Sequence, residues 1–169
     1  ENSSLPVIVT MSFDENGRTF TGCTAASMAA TLTGLGAGAI GLNCSLGPRQ
    51  LLPVLKELCA NTHLPVIAKP NAGLPAMQPD GRAVYSMSPG KFGREMRKLC
   101  KAGARILGGC CGTTPEHIRL VADAVRGMKP KERPYPVDAL TGKTYSPCRI
   151  SGRSGCLNLD KKPFIIGER

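Results

Sequence analysis

The stretch ILGGCCGTTPEHI, residues 106–118, joins the end of an aliphatic run to two adjacent cysteines and then to a helix start. Ile106 and Leu107 read as the close of a buried strand, and Gly108, Gly109 and Gly112 free the backbone from strand geometry around the thiols. Thr114-Pro115 supplies an N-cap with proline in the first helical turn, and Thr113 with Glu116 has capping-box spacing. A strand running through paired thiols into a helix is one βα unit with its chemistry at the strand's carboxyl end. The thiols are badly placed to bridge each other: Cα atoms across a trans peptide are ~3.8 Å apart, against ~4.4–6.8 Å in disulfides.

Working outward, three more nearly continuous apolar runs precede this one: LPVIVTMSF (5–13), AGAIGLNC (37–44) and LPVIAKPN (64–71), with ARILGGC (104–110) as the fourth. Continuity rather than alternation marks strands buried on both faces. Helical patterns follow each run, over 24–35, 49–60, 91–102 and 115–126. Their apolar stripes include Leu51, Leu55 and Leu58, then Phe92, Met96 and Leu99, then Ile118, Val121, Ala122 and Val125. The order βαβαβαβα implies parallel strands with crossover helices. Strand centres near 9, 41, 68 and 107 give about 30 residues per unit, the spacing of a (βα)8 barrel. An open doubly wound sheet has the same local pattern. Beyond Lys129 proline, glycine and charge dominate, which predicts an irregular linker over 131–162 before a last apolar run, PFIIGER.

Composition narrows the class. The 169 residues allow one core, and 20 glycines, 14 prolines and 4% aromatics describe aliphatic packing among many loops. No run approaches the ~18 apolar residues of a membrane span. The opening ENSSLPVIV lacks the regions of a secretory leader and enters a strand at once, so Glu1 is expected to lie inside a longer protein. Net charge is +10, but residues 126–169 hold 10 basic against 4 acidic side chains, and only Tyr135, Tyr145 and Phe164 interleave them. That argues against a nucleic-acid surface, which would mix cations with stacking aromatics.

Eight cysteines without a leader point to reduced thiols in a cytoplasmic setting, where clusters bind metal or do chemistry. Ligand sites of parallel α/β folds lie at the carboxyl ends of the strands. Cys44 ends the second run and Cys110 and Cys111 end the fourth, so three thiols converge on one face. Three protein ligands with a fourth position open is the pattern of a catalytic zinc site, and a thiol entering that position loses its proton. Cys59 and Cys100 fall on apolar helix faces and read as core. Cys148 and Cys156 read as free thiols, and His63 and His117 as surface histidines. The GAGAIG run at 36–41 fits a nucleotide-binding fingerprint only formally, because it precedes a strand instead of following one.

GLNCSLGP, KPNAGLP and GGCCGTTPEHI, in that order, together resemble the homocysteine S-methyltransferase family, and DENGRTFTG (14–22) is similar to the segment after that family's fifth strand. The resemblance covers about residues 5–130. It implies the last four βα units of a (βα)8 TIM barrel, occupying 1–130, with Cys44, Cys110 and Cys111 as zinc ligands. Asn71, at the neighbouring strand's end, is then expected to face the metal or the substrate, and no catalytic acid or base is assigned. LNLDKKPFIIGER (157–169) resembles the junction found in the family's cobalamin-dependent branch, where a pterin- or folate-binding domain follows, here from 163 to 169. The implied reaction is methyl transfer to homocysteine thiolate in methionine biosynthesis, from methylcobalamin recharged by methyltetrahydrofolate. Implied partners are the N-terminal half-barrel and the folate- and cobalamin-binding domains. Without the first four units, which contribute most contacts to the substrate's amino and carboxyl groups, the piece is expected to be inactive and to expose an apolar edge. The competing reading is a non-catalytic zinc-binding or basic interaction module.

Overall fold

Each of the four aliphatic runs becomes a parallel strand, and each helical stripe a helix behind it. In chain order the elements are β1 (Ile8–Met11), α1 (Ala25–Gly34), β2 (Ala39–Asn43), α2 (Pro48–Asn61), β3 (Val66–Lys69), β4 (Pro75–Met77), β5 (Ala83–Tyr85), α3 (Pro89–Ala102), β6 (Ala104–Leu107), α4 (Pro115–Val125), β7 (Arg149–Gly152) and β8 (Gly155–Asn158). The computed structural model of the chain describes residues 5–129, 131, 149–153 and 155–158.

The main sheet runs β1-β2-β3-β6 with every pair parallel. Sequential strands are thus spatial neighbours with helical crossovers, an arrangement consistent with part of a (βα)8 barrel. The core lies between sheet and helices: Ile40, Leu42, Val66 and Ala68 meet Leu51, Leu55, Leu58, Phe92, Met96 and Leu99, all fully buried. Burying each of the larger side chains stabilises the fold by ~1.5–3 kcal/mol. Gly41 permits the closest strand approach, since a Cβ there would stand 2.5 Å from Ile67 Cβ and collide with the Ile67 carbonyl oxygen. Among the described residues β1 and β6 are the edge strands, and they carry exposed Ile8 and Ile106.

Two hairpins depart from the simple alternation. β4 and β5 pair antiparallel between β3 and α3. Their turn is closed by Gln78 N–H to Arg82 O at 2.8 Å and has Gly81 at φ +81°. The second, β7 with β8, corrects the expectation of an irregular linker: within 131–162, Arg149–Gly152 and Gly155–Asn158 form an antiparallel pair lying against α1. Ser27 Oγ, on α1, reaches Gly152 O at 2.7 Å and Gly155 O at 2.9 Å, and Arg149 Nη1 donates to Asn61 O at the end of α2. The predicted domain start at 163–169 and Cys148 fall outside the described residues. Among the described residues no helix is long and apolar enough to cross a membrane.

Helix α4 also differs in its facing. Its buried residues are His117 and Val121, whereas Ile118 is 42% exposed and Ala122 faces solvent. The reading of His117 as a surface histidine is therefore wrong. Its ring is held at the helix start by three polar contacts and packs edge-on against Phe92, with centroids 5.5 Å apart. The capping box sits one residue later than the spacing of Thr113 and Glu116 indicates, joining Thr114 to His117.

Candidate metal centre

The end of β3 is the spacer on which the site is built. Lys69 O accepts from Cys44 N–H at 3.0 Å on one side, and Pro70 O accepts from Cys110 N–H at 2.9 Å on the other. The sheet ladder thereby carries both cysteine loops past the strand ends in register. Cys44 and Ser45 then turn left-handed, with φ of 58° and 54°. For side-chain-bearing residues this costs roughly 1–2 kcal/mol each, and such strain gathers at functional sites. On the other loop, Thr113 Oγ1 donates to Cys110 O at 2.7 Å, and Gly112, at φ +76°, lies so close to Tyr85 that no Cβ fits.

The result is three sulfurs in one place. Cys44 Sγ is 3.6 Å from Cys111 Sγ, Cys111 Sγ is 3.9 Å from Cys110 Sγ, and all three lie within 4.8 Å of one another. None is in a disulfide. Tetrahedral zinc with Zn–S bonds of ~2.3 Å requires sulfurs ~3.8 Å apart. The donor set and its spacing therefore fit a single thiophilic ion, and they are the one such cluster of three among the described residues.

Electrostatics point the same way. Burial works against charge on Cys44, but hydrogen bonds from the Ser45 amide, the Cys110 and Cys111 thiols and the Asn71 side chain outweigh it and lower its pKa. Cys110 is pushed up to about 11 by burial and by its two sulfur neighbours, the Cys44 charge among them. Tyr85 is raised by its hydrogen bond to Cys111 and by the surrounding thiolate charge. Three thiols this close cannot all ionise without a cation among them.

Asn71 is 2% exposed, and its Oδ1 accepts from Cys111 N–H at 3.1 Å. It thereby ties the end of β3 to the loop that carries the cysteine pair. Beside Ser45 opens a cleft of about 620 Å³ lined by Ser12, Phe13, Asp14, Arg18 and Leu46. Cys59 packs against the core and burial raises Cys100, as expected of helix-face thiols. Cys156 is half-buried on the hairpin, away from the cluster. The part of the site that sequence reasoning missed is His117 at N3 of the Thr114 cap, whose signal was the pairing of a cap threonine with a polar N3 side chain.

A parallel α/β sheet that gathers one thiol after β2 and a vicinal pair after β6 at its carboxyl edge presents a cysteine cluster that could hold a metal ion. The family model for homocysteine S-methyltransferase matches residues 1–125, and the chain belongs to that family. It is 37% identical over 172 residues to methionine synthase of Mycobacterium leprae and 31% identical over 166 residues to methionine synthase of Mycobacterium tuberculosis, covering 98% of this chain in each case. It spans only 14% and 13% of those relatives. Among solved structures it is similar to the homocysteine methyltransferase MmuM from Escherichia coli in its metallated form, at 25% identity and a TM-score of 0.51, covering 68% of this chain and 34% of that one. The oxidised form of the same enzyme gives 26% identity and the same TM-score over 66% of this chain.

Proposed function

We propose that the chain supplies the last four βα units of a homocysteine S-methyltransferase barrel, in which Cys44, Cys110 and Cys111 hold zinc. The observation that carries this reading is the convergence of three sulfurs from β2 and β6 within 4.8 Å at the carboxyl edge of the sheet. Zinc bound there would act as a Lewis acid toward an entering thiol, whose free pKa of ~8.5 leaves it mostly protonated at neutral pH.

The chain's own residues prepare that event. The pKa of the Cys44 thiol is held below its ordinary value, and the β3 spacer fixes its distance from the pair after β6. Asn71 holds the Cys111 amide and is our candidate for facing the substrate. The cleft beside Ser45 leaves room on the same face for homocysteine. The resemblance of 157–169 to a cobalamin-dependent junction supports methylcobalamin, recharged from methyltetrahydrofolate, as donor and methionine as product. On this reading 163–169 opens the folate domain, and the rest of the barrel with the folate- and cobalamin-binding domains complete a cytoplasmic enzyme of which this piece alone is inactive.

The test is metal content of the full chain and of Cys110→Ala, followed by the cobalt-substituted spectrum before and after homocysteine. Near-stoichiometric zinc that falls in the variant, with a ligand field that responds to homocysteine, is expected. Undiminished zinc in Cys110→Ala, or a spectrum indifferent to homocysteine, refutes it.

A further inference from the structure

We propose that His117 is a positioning residue for the cysteine pair: it closes a ring of hydrogen bonds that clamps the Cys111 peptide, and so sets the grip on the metal. The proposal rests on the metal reading above for its consequence, but not for its geometry.

The ring can be followed atom by atom. Thr114 N–H points at His117 Nδ1 at 3.2 Å, and the Thr114 hydroxyl lies 2.8 Å from the same nitrogen. A backbone N–H only donates, so Nδ1 is the acceptor and the ring proton sits on Nε2. That proton is donated to Met87 O at 2.9 Å. Met87 N–H donates to Ala72 O at 3.1 Å, and Ala72 N–H donates to Cys111 O at 2.9 Å. Cys111 N–H donates to Asn71 Oδ1, so both backbone polar groups of Cys111 are held from the β3 side. The chain from Cys111 to Thr114 then returns to His117 and closes the circuit.

Two features show that the imidazole serves this circuit rather than filling space. It is 5% exposed and both ring nitrogens are engaged, one on the helix that follows the cysteines and one on the segment that follows β5. An apolar residue of similar size at N3 would bury equally well but would leave Thr114 N–H and Met87 O without partners. Glutamine, an ordinary capping-box residue at N3, can still accept from the N-cap amide.

The experiment compares the full chain with His117→Gln, His117→Ala and Val121→Ala, the last removing a buried side chain on the same helix face but none of the ring's hydrogen-bond partners. Two readouts are taken: amide hydrogen exchange at Cys111 and Ala72 in the metal-free protein, and zinc affinity by chelator competition. His117→Ala is expected to speed exchange at both amides and to weaken zinc by about 10-fold, the low end for an outer contact of a metal ligand. Val121→Ala should lower thermal stability but leave both readouts near wild type, and His117→Gln should recover part of the zinc affinity. Should His117→Ala fail to fold, His117→Gln against Val121→Ala decides, with faster exchange in the former supporting the clamp. Exchange at Cys111 that matches Val121→Ala overturns the proposal whatever the zinc does. Wild-type chain that takes up no zinc overturns the metal reading instead, and exchange still judges the clamp.

Discussion

Replacing Gly112 by alanine should damage metal binding far more than fold stability alone explains. Gly112 lies directly after the cysteine pair at φ +76°, and a Cβ there would stand 2.6 Å from Tyr85 Cγ and closer still to Tyr85 Cβ. Ordinary contact begins near 3.4 Å, so loop and tyrosine must separate by more than 0.8 Å to relieve the contact at Tyr85 Cβ as well as that at Cγ. Metal–ligand distances tolerate only about 0.2 Å. The left-handed backbone costs alanine roughly 1–2 kcal/mol, and the collision adds ~1–3 kcal/mol as overpacking does. Gly127 supplies the control: its φ is +74°, and a Cβ there meets nothing within 4 Å. Gly127→Ala should therefore show the backbone cost alone. The assays are urea unfolding of the metal-free chain and zinc competition with a chromophoric chelator. Gly112→Ala is expected to be the less stable by ~1–3 kcal/mol and to bind zinc about 10- to 100-fold more weakly, while Gly127→Ala binds as wild type. Equal stability and equal affinity in the two variants would refute the argument that Gly112 is required by its contact with Tyr85.

Asn71→Ala leaves the half-buried Cys111 amide without its acceptor, and should cost ~1–3 kcal/mol in unfolding experiments while weakening zinc. In the metal-free chain, alkylation followed by mass spectrometry should label Cys44 below the ordinary thiol range and Cys110 only as pH approaches about 11. Because the folded chain holds the Cys110 proton more tightly than the unfolded chain, metal-free stability should fall as pH rises from the ordinary thiol value of 9.0 toward about 11; a flat profile there contradicts the assigned shift. Ser27→Ala removes the hydroxyl shared by Gly152 O and Gly155 O, and should loosen the β7–β8 hairpin by ~1 kcal/mol, seen as earlier proteolytic cleavage within it.

What the sequence revealed and hid has physical causes. The four strands of the sheet were legible as aliphatic runs, although only β2 and β3 are buried on both faces while β1 and β6 are partly exposed, and the convergence of Cys44, Cys110 and Cys111 was legible because side chains at strand ends meet on one edge of such sheets. The β4–β5 hairpin escaped because its strands are three residues each and largely exposed, although the proline-aspartate-glycine turn at 79–81 signalled it. The β7–β8 hairpin was hidden because its anchors are remote in sequence: the Ser27 hydroxyl on α1, more than 120 residues away, and Asn61 O at the end of α2. His117 was hidden by the assumption that a helix buries only its apolar stripe. Asn71 was noticed from its place after β3, but its hold on Cys111 depends on a partner 40 residues distant.

Cys44 and Cys111 stand 67 residues apart in the chain yet 3.6 Å apart in space. An ion gripping both would act as a fastening between remote parts of the polypeptide, denying the denatured chain much of its freedom. By the loop-entropy relation used for cross-links, a closure of that length is worth about 4 kcal/mol, comparable with the entire margin that keeps many domains folded. A chelator should therefore strip away cohesion along with chemistry, and melting temperature should track ion occupancy.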